Sequence, residues 1–281
     1  MEIVRTKDEL LKSLEKARKF GLKVSFIPTM GNLHDGHLKL IEAGKRLAEI
    51  IVVSIFVNKK QFGEKEDFEN YPRTEEEDLT KLEASQASIV FIPRSESEIF
   101  GSHFNLNLDV ANLTNCLCGI SRPHFFGGVL SVVMKFFLLI KPEFAIFGKK
   151  DYQQFLIVSA LAESLEIGTE VVGIETVREG NGLAMSSRNN YFSLAERGNL
   201  EFINKILSDV KENLLTQSLE EALSKAKKEL NEAGVEKLDY LEIRSGRGLS
   251  LITDYKPEMK PIIFFAGFVK GVRLIDNLEL F

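Results

Sequence analysis

The chain has 281 residues, 44% hydrophobic and 27% charged, with a formal net charge of −5 at pH 7. That is material for one large domain or two unequal ones, and a slightly acidic chain has no global positive field to draw in nucleic acid or an anionic membrane. Cys116 and Cys118 make neither a disulfide framework nor a zinc site, Met1-Glu2-Ile3-Val4-Arg5 lacks the regions of a signal peptide, and no apolar run is long enough to span a bilayer. A reduced, cytoplasmic setting is therefore expected, with neither nucleic acid nor membrane as partner.

Thr6-Lys7-Asp8-Glu9 has capping-box spacing and opens an amphipathic run to Phe20, where Gly21 marks a stop. Residues 23–27 predict the first strand, and residues 38–48 an amphipathic helix. The apolar, β-branched run 50–57 predicts a strand covered on both faces. Thr74-Glu75-Glu76-Glu77 reads as a second capping box, with its helix ending near Ser85. A strand at 88–92 follows, then a weakly alternating stretch, 103–110, expected as an edge strand. Residues 128–140 read as a buried helix, 144–147 as a strand, 151–165 as a helix and 170–176 as a strand. Past Arg188 the character changes. Capping boxes at Ser193 and Ser218 open charged helices, and strand-like runs follow at 238–244, 261–269 and 272–275. The expected fold is α/β: a Rossmann-like parallel-sheet domain, residues 1–176, followed by a smaller α+β C-terminal domain, residues 177–281.

Chemistry gathers at the turns that follow predicted strands. Pro28-Thr29-Met30-Gly31-Asn32-Leu33-His34-Asp35-Gly36-His37 holds half of the chain's 4 histidines at a strand-to-helix junction. Such a turn opens at the carboxyl end of a parallel sheet, where helix N–H groups favour an anion and imidazoles can donate to phosphate. The second strand leads into Asn58-Lys59-Lys60-Gln61, whose amides suit a small ligand bearing hydroxyls and a carboxylate. A third turn, Gly148-Lys149-Lys150-Asp151, sets lysines at a helix start, with Gln154 one turn further in. A fourth, ending Met185-Ser186-Ser187-Arg188, offers hydroxyls and a guanidinium for phosphates. Taken singly, the third turn reads equally well as a polar surface loop, and the second and fourth read better as one. Neither a Walker P-loop nor a Gly-x-Gly-x-x-Gly fingerprint is present. The acidic stretch 64–78 reads as a solvated face, with Asp78 or Glu77 as candidates to assist Mg²⁺.

In combination and order these motifs resemble the pantoate–β-alanine ligases, within the His-x-Gly-His nucleotidyltransferase superfamily. The resemblance rests on Pro28-Thr29-Met30-Gly31 with Leu33-His34 and Gly36-His37, Ser54-Ile55-Phe56-Val57-Asn58 with Gln61-Phe62, and Tyr71-Pro72-Arg73-Thr74. Lys150 to Gln154, Gly182 to Asn189 and Asp239-Tyr240-Leu241-Glu242 extend it over nearly the whole chain.

The resemblance implies a two-step, AMP-forming ligation. Pantoate's carboxylate attacks the α-phosphate of MgATP, and β-alanine's amine then attacks the acyl carbon of pantoyl adenylate. It also implies ATP as substrate, Mg²⁺ and a homodimer. By the same matching, His34, His37, Lys150 and Arg188 are the catalytic set, with His37 as proton donor. Met30 to His37, Gly148 to Asp151, Val177, and Met185 to Arg188 match ATP-binding segments. Gln61 and Gln154 match pantoate-binding amides, joined by Asn58 as a substrate-loop candidate, and no protein metal ligand is assigned. The chain departs from the family pattern at Lys59 (usually Pro), Lys149 (usually acidic), Asn181 (usually Asp) and Phe125 (usually His). Two other readings stand beside this one: an adenylyltransferase that leaves AMP on its acceptor, and a nucleotide-binding regulator without turnover.

Overall fold

The computed structural model describes residues 1–64, 66–101, 108–254 and 256–280. In chain order the first half runs β1 (Glu2–Val4), α1 (Lys7–Lys19), β2 (Val24–Thr29), α2 (Asp35–Lys45), β3 (Ile50–Ile55), α3 (Glu75–Ala84) and β4 (Ile89–Phe91). Three one-turn helices, α4 (Ser97–Phe100), α5 (Ala111–Thr114) and α6 (Cys118–Ser121), precede α7 (Phe125–Ile140), β5 (Phe144–Gly148), α8 (Tyr152–Ser164) and β6 (Glu170–Ile174). The second half holds α9 (Leu194–Gly198), α10 (Glu201–Asn213), α11 (Leu219–Glu232), β7 (Lys237–Ser245), β8 (Pro261–Val269) and β9 (Val272–Glu279).

Two sheets result. The first is six-stranded in the order β1-β4-β3-β2-β5-β6, and its pairs are parallel. The second is antiparallel in the order β7-β8-β9. The expected α/β architecture with a smaller α+β part is thus the one observed. From β2 the chain winds one way through β3 to β4, and from β5 the other way to β6. The junction of β2 and β5 is therefore the topological switch point, where an open parallel sheet leaves a crevice beyond its carboxyl edge.

Strand alternation divides the packing. Phe26, Val52, Phe91 and Ala145 face α1, α7 and α8, while Ile27, Ile51, Val53 and Ile146 face α2 and α3. Both faces are covered, which is why β3 is apolar at every position but Ser54. In the second sheet β8 is also buried on both faces. Ile263 and Phe265 pack against α10 and α11, while Ile262 and Phe264 join the first core, with Phe264 against Tyr152 at 5.9 Å between ring centroids. The small sheet is thereby seated on α8.

Capping boxes form at Thr6, Ser193 and Ser218 as their spacing predicts. The one predicted at Thr74 does not. Its hydroxyl turns to the Asp78 carboxylate at 3.3 Å, and no side-chain cap is made. The helix expected from Ser193 breaks into α9 and α10. Of the edge strand expected over 103–110, residues 103–107 lie outside those described, and residues 108–110 form none. Among the described residues no helix is long and apolar enough to cross a membrane.

Candidate active site

The turn after β2 is held in place by backbone chemistry. Thr29 Oγ1 donates to the Ser54 carbonyl at 2.7 Å and accepts the Gly31 N–H. Gly31 (φ 82°) and Asn32 (φ 50°) then enter the left-handed region, which glycine and asparagine tolerate best. The main-chain N–H groups of Asn32 and Leu33 both point at one carboxylate, Asp78, at 2.8 and 2.7 Å. Asp78 is fully buried, and both its oxygens are occupied by these donors. That corrects its reading as an aid to Mg²⁺. Glu77, the other candidate, is exposed on α3.

The two histidines cap α2 reciprocally. His34 Nδ1 accepts the Gly36 N–H at 3.2 Å, and His37 Nδ1 accepts the His34 N–H at 3.3 Å. A neutral imidazole that accepts at Nδ1 carries its proton on Nε2. Both rings line the cavity, with centroids 4.1 Å apart. Burial first, then the positive charge of Lys150, lowers the His34 pKa to about 4. Burial, His34 and Lys150 hold His37 well below the ordinary histidine value. Two neutral rings at pH 7 thus supply Nε2–H donors. The sequence pattern predicts free helix N–H groups facing the crevice. Instead, Gly36 N–H is taken by His34 Nδ1 and His37 N–H by the His34 carbonyl. Gly36 is required by contact: a Cβ there would lie 2.8 Å from the His34 ring.

Around this turn lies a cavity of about 770 Å³. From the sequence-predicted set, Met30, His34, Gly36, His37, Gln61, Gly148, Lys150, Asp151, Gln154, Val177, Met185, Ser186, Ser187 and Arg188 all line it. The turns after β2 and β5 contribute from the two sides of the switch point. Gly31, Asn32, Leu33, Asp35, Lys149 and Asn58 lie off its wall. Asn32 instead joins the first turn to the fourth: its amide donates to the Ser187 carbonyl, and its own carbonyl accepts Ser187 Oγ at 3.1 Å. Asn58 is fully buried, donating to the Gly128 carbonyl at 3.0 Å and accepting the Lys60 N–H, so its amide braces the loop from behind. Lys149 pairs with Glu175 and lies 3.7 Å from Glu279.

Several participants carry no local motif. Asp67 grips Arg188 through two bonds and accepts the Tyr191 hydroxyl. Burial pushes the Asp67 carboxyl up, but the Arg188 bonds and charge outweigh it and hold its pKa below the usual value. Arg122 pairs with Glu66 at 2.6 Å, donates to the Gln61 carbonyl, and covers the Phe125 ring at 3.9 Å. Phe125, where the family pattern has histidine, is thus a platform for Arg122. Asn181 uses its amide as a donor to the Arg197 carbonyl at 2.9 Å, a bond an aspartate could not make. Cys116 and Cys118 are buried thiols, with Cys118 Sγ 3.1 Å from the Tyr240 hydroxyl.

The family model described as pantoate-beta-alanine ligase matches residues 2–279. The chain belongs to the pantoate-beta-alanine ligase family. Among its relatives is a pantothenate synthetase of Neisseria meningitidis serogroup B, 42% identical over 100% of this chain and 99% of that protein. One from Chromobacterium violaceum is 41% identical over the full length of both. The crystal structure of a pantothenate synthetase from Thermus thermophilus superposes with a TM-score of 0.92 at 37% identity, covering 100% of each chain. A Francisella tularensis pantoate-beta-alanine ligase, complexed with beta-gamma ATP and beta-alanine, gives a TM-score of 0.80 at 32% identity, covering 100% of this chain and 98% of that one. For a pantoate-beta-alanine ligase the cavity's two kinds of lining, cationic or hydroxyl groups and amides, have a direct chemical use.

Proposed function

We propose that the protein condenses pantoate with β-alanine at the expense of ATP, through a pantoyl adenylate. The observation that carries this is the convergence, in one cavity at the switch point, of His34, His37, Lys150 and Ser186 to Arg188 with Gln61 and Gln154. The Francisella relative, complexed with beta-gamma ATP and beta-alanine, supports the choice of substrates.

The chemistry needs no protein nucleophile. Pantoate's carboxylate attacks the α-phosphorus and the bond to the leaving pyrophosphate breaks, so charge moves onto the pyrophosphate oxygens. Fixed donors aimed at that charge, working in a partly dry cavity, lower the barrier. His34 and His37 donate from Nε2, Lys150 supplies a compact charge, and Ser186, Ser187 and Arg188 supply hydroxyls and a planar guanidinium. His37, which the family resemblance matches to a proton donor, serves in this scheme as a neutral Nε2–H hydrogen-bond donor to the leaving pyrophosphate. Gln61 and Gln154 take pantoate's hydroxyls and carboxylate. β-Alanine's amine then adds to the acyl carbon and AMP leaves.

Mg²⁺ belongs to the proposal as an ion carried by the nucleotide. Among the described residues there is no group of three or more His, Cys, Asp or Glu placed to hold a metal. Phosphate oxygens and water would provide most of its ligands, as is usual for this ion. A homodimer, a cytoplasmic location and a division near residue 177 are further parts of the proposal. In support of the division, the parallel sheet ends at Ile174 and the later elements build around the second sheet.

The test is pantoate-dependent release of pyrophosphate from ATP by wild type and His37→Ala. A folded His37→Ala that releases pyrophosphate at the normal rate would remove His37 from the reaction.

A further inference from the structure

Strand β9 is an edge strand, paired only with β8, yet two consecutive side chains on it are almost completely buried: Asp276 at 4% exposure and Asn277 at 7%. Neighbouring residues of a strand point to opposite faces. Each of these two meets a different turn of the cavity.

Asp276 receives the Arg178 guanidinium in fork fashion, Nη1 at 2.7 Å and Nη2 at 2.9 Å. Arg178 also donates to the Gly182 carbonyl at 3.0 Å and to the Asn277 carbonyl at 3.1 Å. It stands at the base of a hairpin-like turn closed by Glu179 N–H to Leu183 O and Met185 N–H to Val177 O. Met185 to Arg188 leave directly from that base. On the other face, Asn277 Nδ2 donates to the carbonyls of Lys149 at 2.9 Å and Lys150 at 2.8 Å. The residue types suit the tasks. A carboxylate matches the arginine fork, and an amide nitrogen brings two donors to two carbonyls without burying a charge.

We propose that Asp276 and Asn277 are positioning residues for the nucleotide: together they fix the spacing between Lys150 and the Met185–Arg188 segment. This rests on the reading given under Proposed function, in which the triphosphate lies between those two groups. The parallel sheet places each turn separately. A strand from the C-terminal sheet then clamps one to the other, so the phosphate site is completed across the two halves of the chain.

The experiment is steady-state kinetics of Asn277→Ala with ATP, pantoate and β-alanine varied in turn, beside calorimetric titration with a β,γ-non-hydrolysable ATP analogue. The expected result is a loss of about tenfold or more in kcat/KM for ATP, with a matching loss of analogue affinity. The KM values for pantoate and β-alanine should stay within about twofold, since a displaced lysine touches neither. Asn277→Asp, which turns a carboxylate toward two carbonyl oxygens, should be worse than alanine. A variant that melts earlier but keeps wild-type ATP kinetics and analogue affinity would overturn the proposal, leaving Asn277 a purely structural residue. Should the alanine variant fail to fold, Asn277→Ser, with a single donor, is read in its place, and unchanged ATP parameters overturn the proposal equally. A wild-type protein that binds the analogue but makes no pantothenate would refute the proposed reaction while leaving the clamp testable by affinity. A wild-type protein that does not bind the analogue refutes both.

Discussion

Arg188 meets Asp67 through two hydrogen bonds, Nη2 to Oδ1 at 2.9 Å and Nε to Oδ2 at 3.1 Å. A guanidinium proposed to face phosphates is thus already held by a carboxylate from the loop after β3. The contact orients the fork, and it also sets a negative charge beside the proposed phosphate site. Asp67→Asn separates these effects. Removing the charge should lower the KM for ATP several-fold, and loosening the fork should lower kcat by about tenfold or more. Initial rates over a range of ATP concentrations check both. A rise in KM with kcat unchanged would show that Asp67 assists binding and does not compete with it.

The histidines set a pH dependence of stability. In the fold, His34 titrates at about 4 and His37 lies well below the ordinary value, chiefly through burial. In the unfolded chain both return to about 6.5. Between those values the unfolded state binds more protons, so stability falls as pH drops from about 6.5 toward 4 and is fully retained above 6.5. Denaturant melts at pH 7.5, 6 and 5 test this. His34→Gln should have a shallower slope over that interval, and an unchanged slope would contradict the neutral-ring assignment for His34.

Asp78 is expected to be costly to lose. Asp78→Ala leaves the buried N–H groups of Asn32 and Leu33 without partners, each worth about 1–3 kcal/mol. The expected loss is about 2–4 kcal/mol of stability, together with most of the activity, because the histidine turn is released. Urea unfolding and pyrophosphate release are the two measurements. Intact activity in the folded variant would mean that the turn holds itself.

Gly36→Ala should dissociate stability from activity. Alanine suits a helix better than glycine by roughly 0.5–1 kcal/mol, so the melting temperature should change little. The new Cβ would stand 2.8 Å from the His34 ring and displace it, breaking the cap. Adenylate formation should fall by about 100-fold, in line with small misplacements of reacting groups. A normal rate would show that the His34 position is not critical.

What could be read from the sequence follows the range of the interactions involved. The histidine turn, the parallel-strand run at β3 and the capping boxes at Thr6, Ser193 and Ser218 are local patterns, and local rules find them. Thr74 has the same spacing as those caps but sits beside Asp78, four residues on, which captures its hydroxyl. Asn58 looks like a free amide until Gly128, 70 residues away, claims it. Asp67 and Asp276 lie 121 and 98 residues from the arginines they hold. Nothing local distinguishes such carboxylates from those of a solvated face. The family resemblance located the cavity's cationic and amide lining, whereas the residues that hold that lining in place emerged only from the packed chain.

The most direct test of the central claim is AMP formation from pantoate and ATP, measured with and without β-alanine, with pantothenate quantified in the same samples. The expected result is AMP that depends on β-alanine and appears in equal amount with pantothenate. AMP retained on a stable adenylylated acceptor, or nucleotide binding without turnover when both substrates are present, would contradict it.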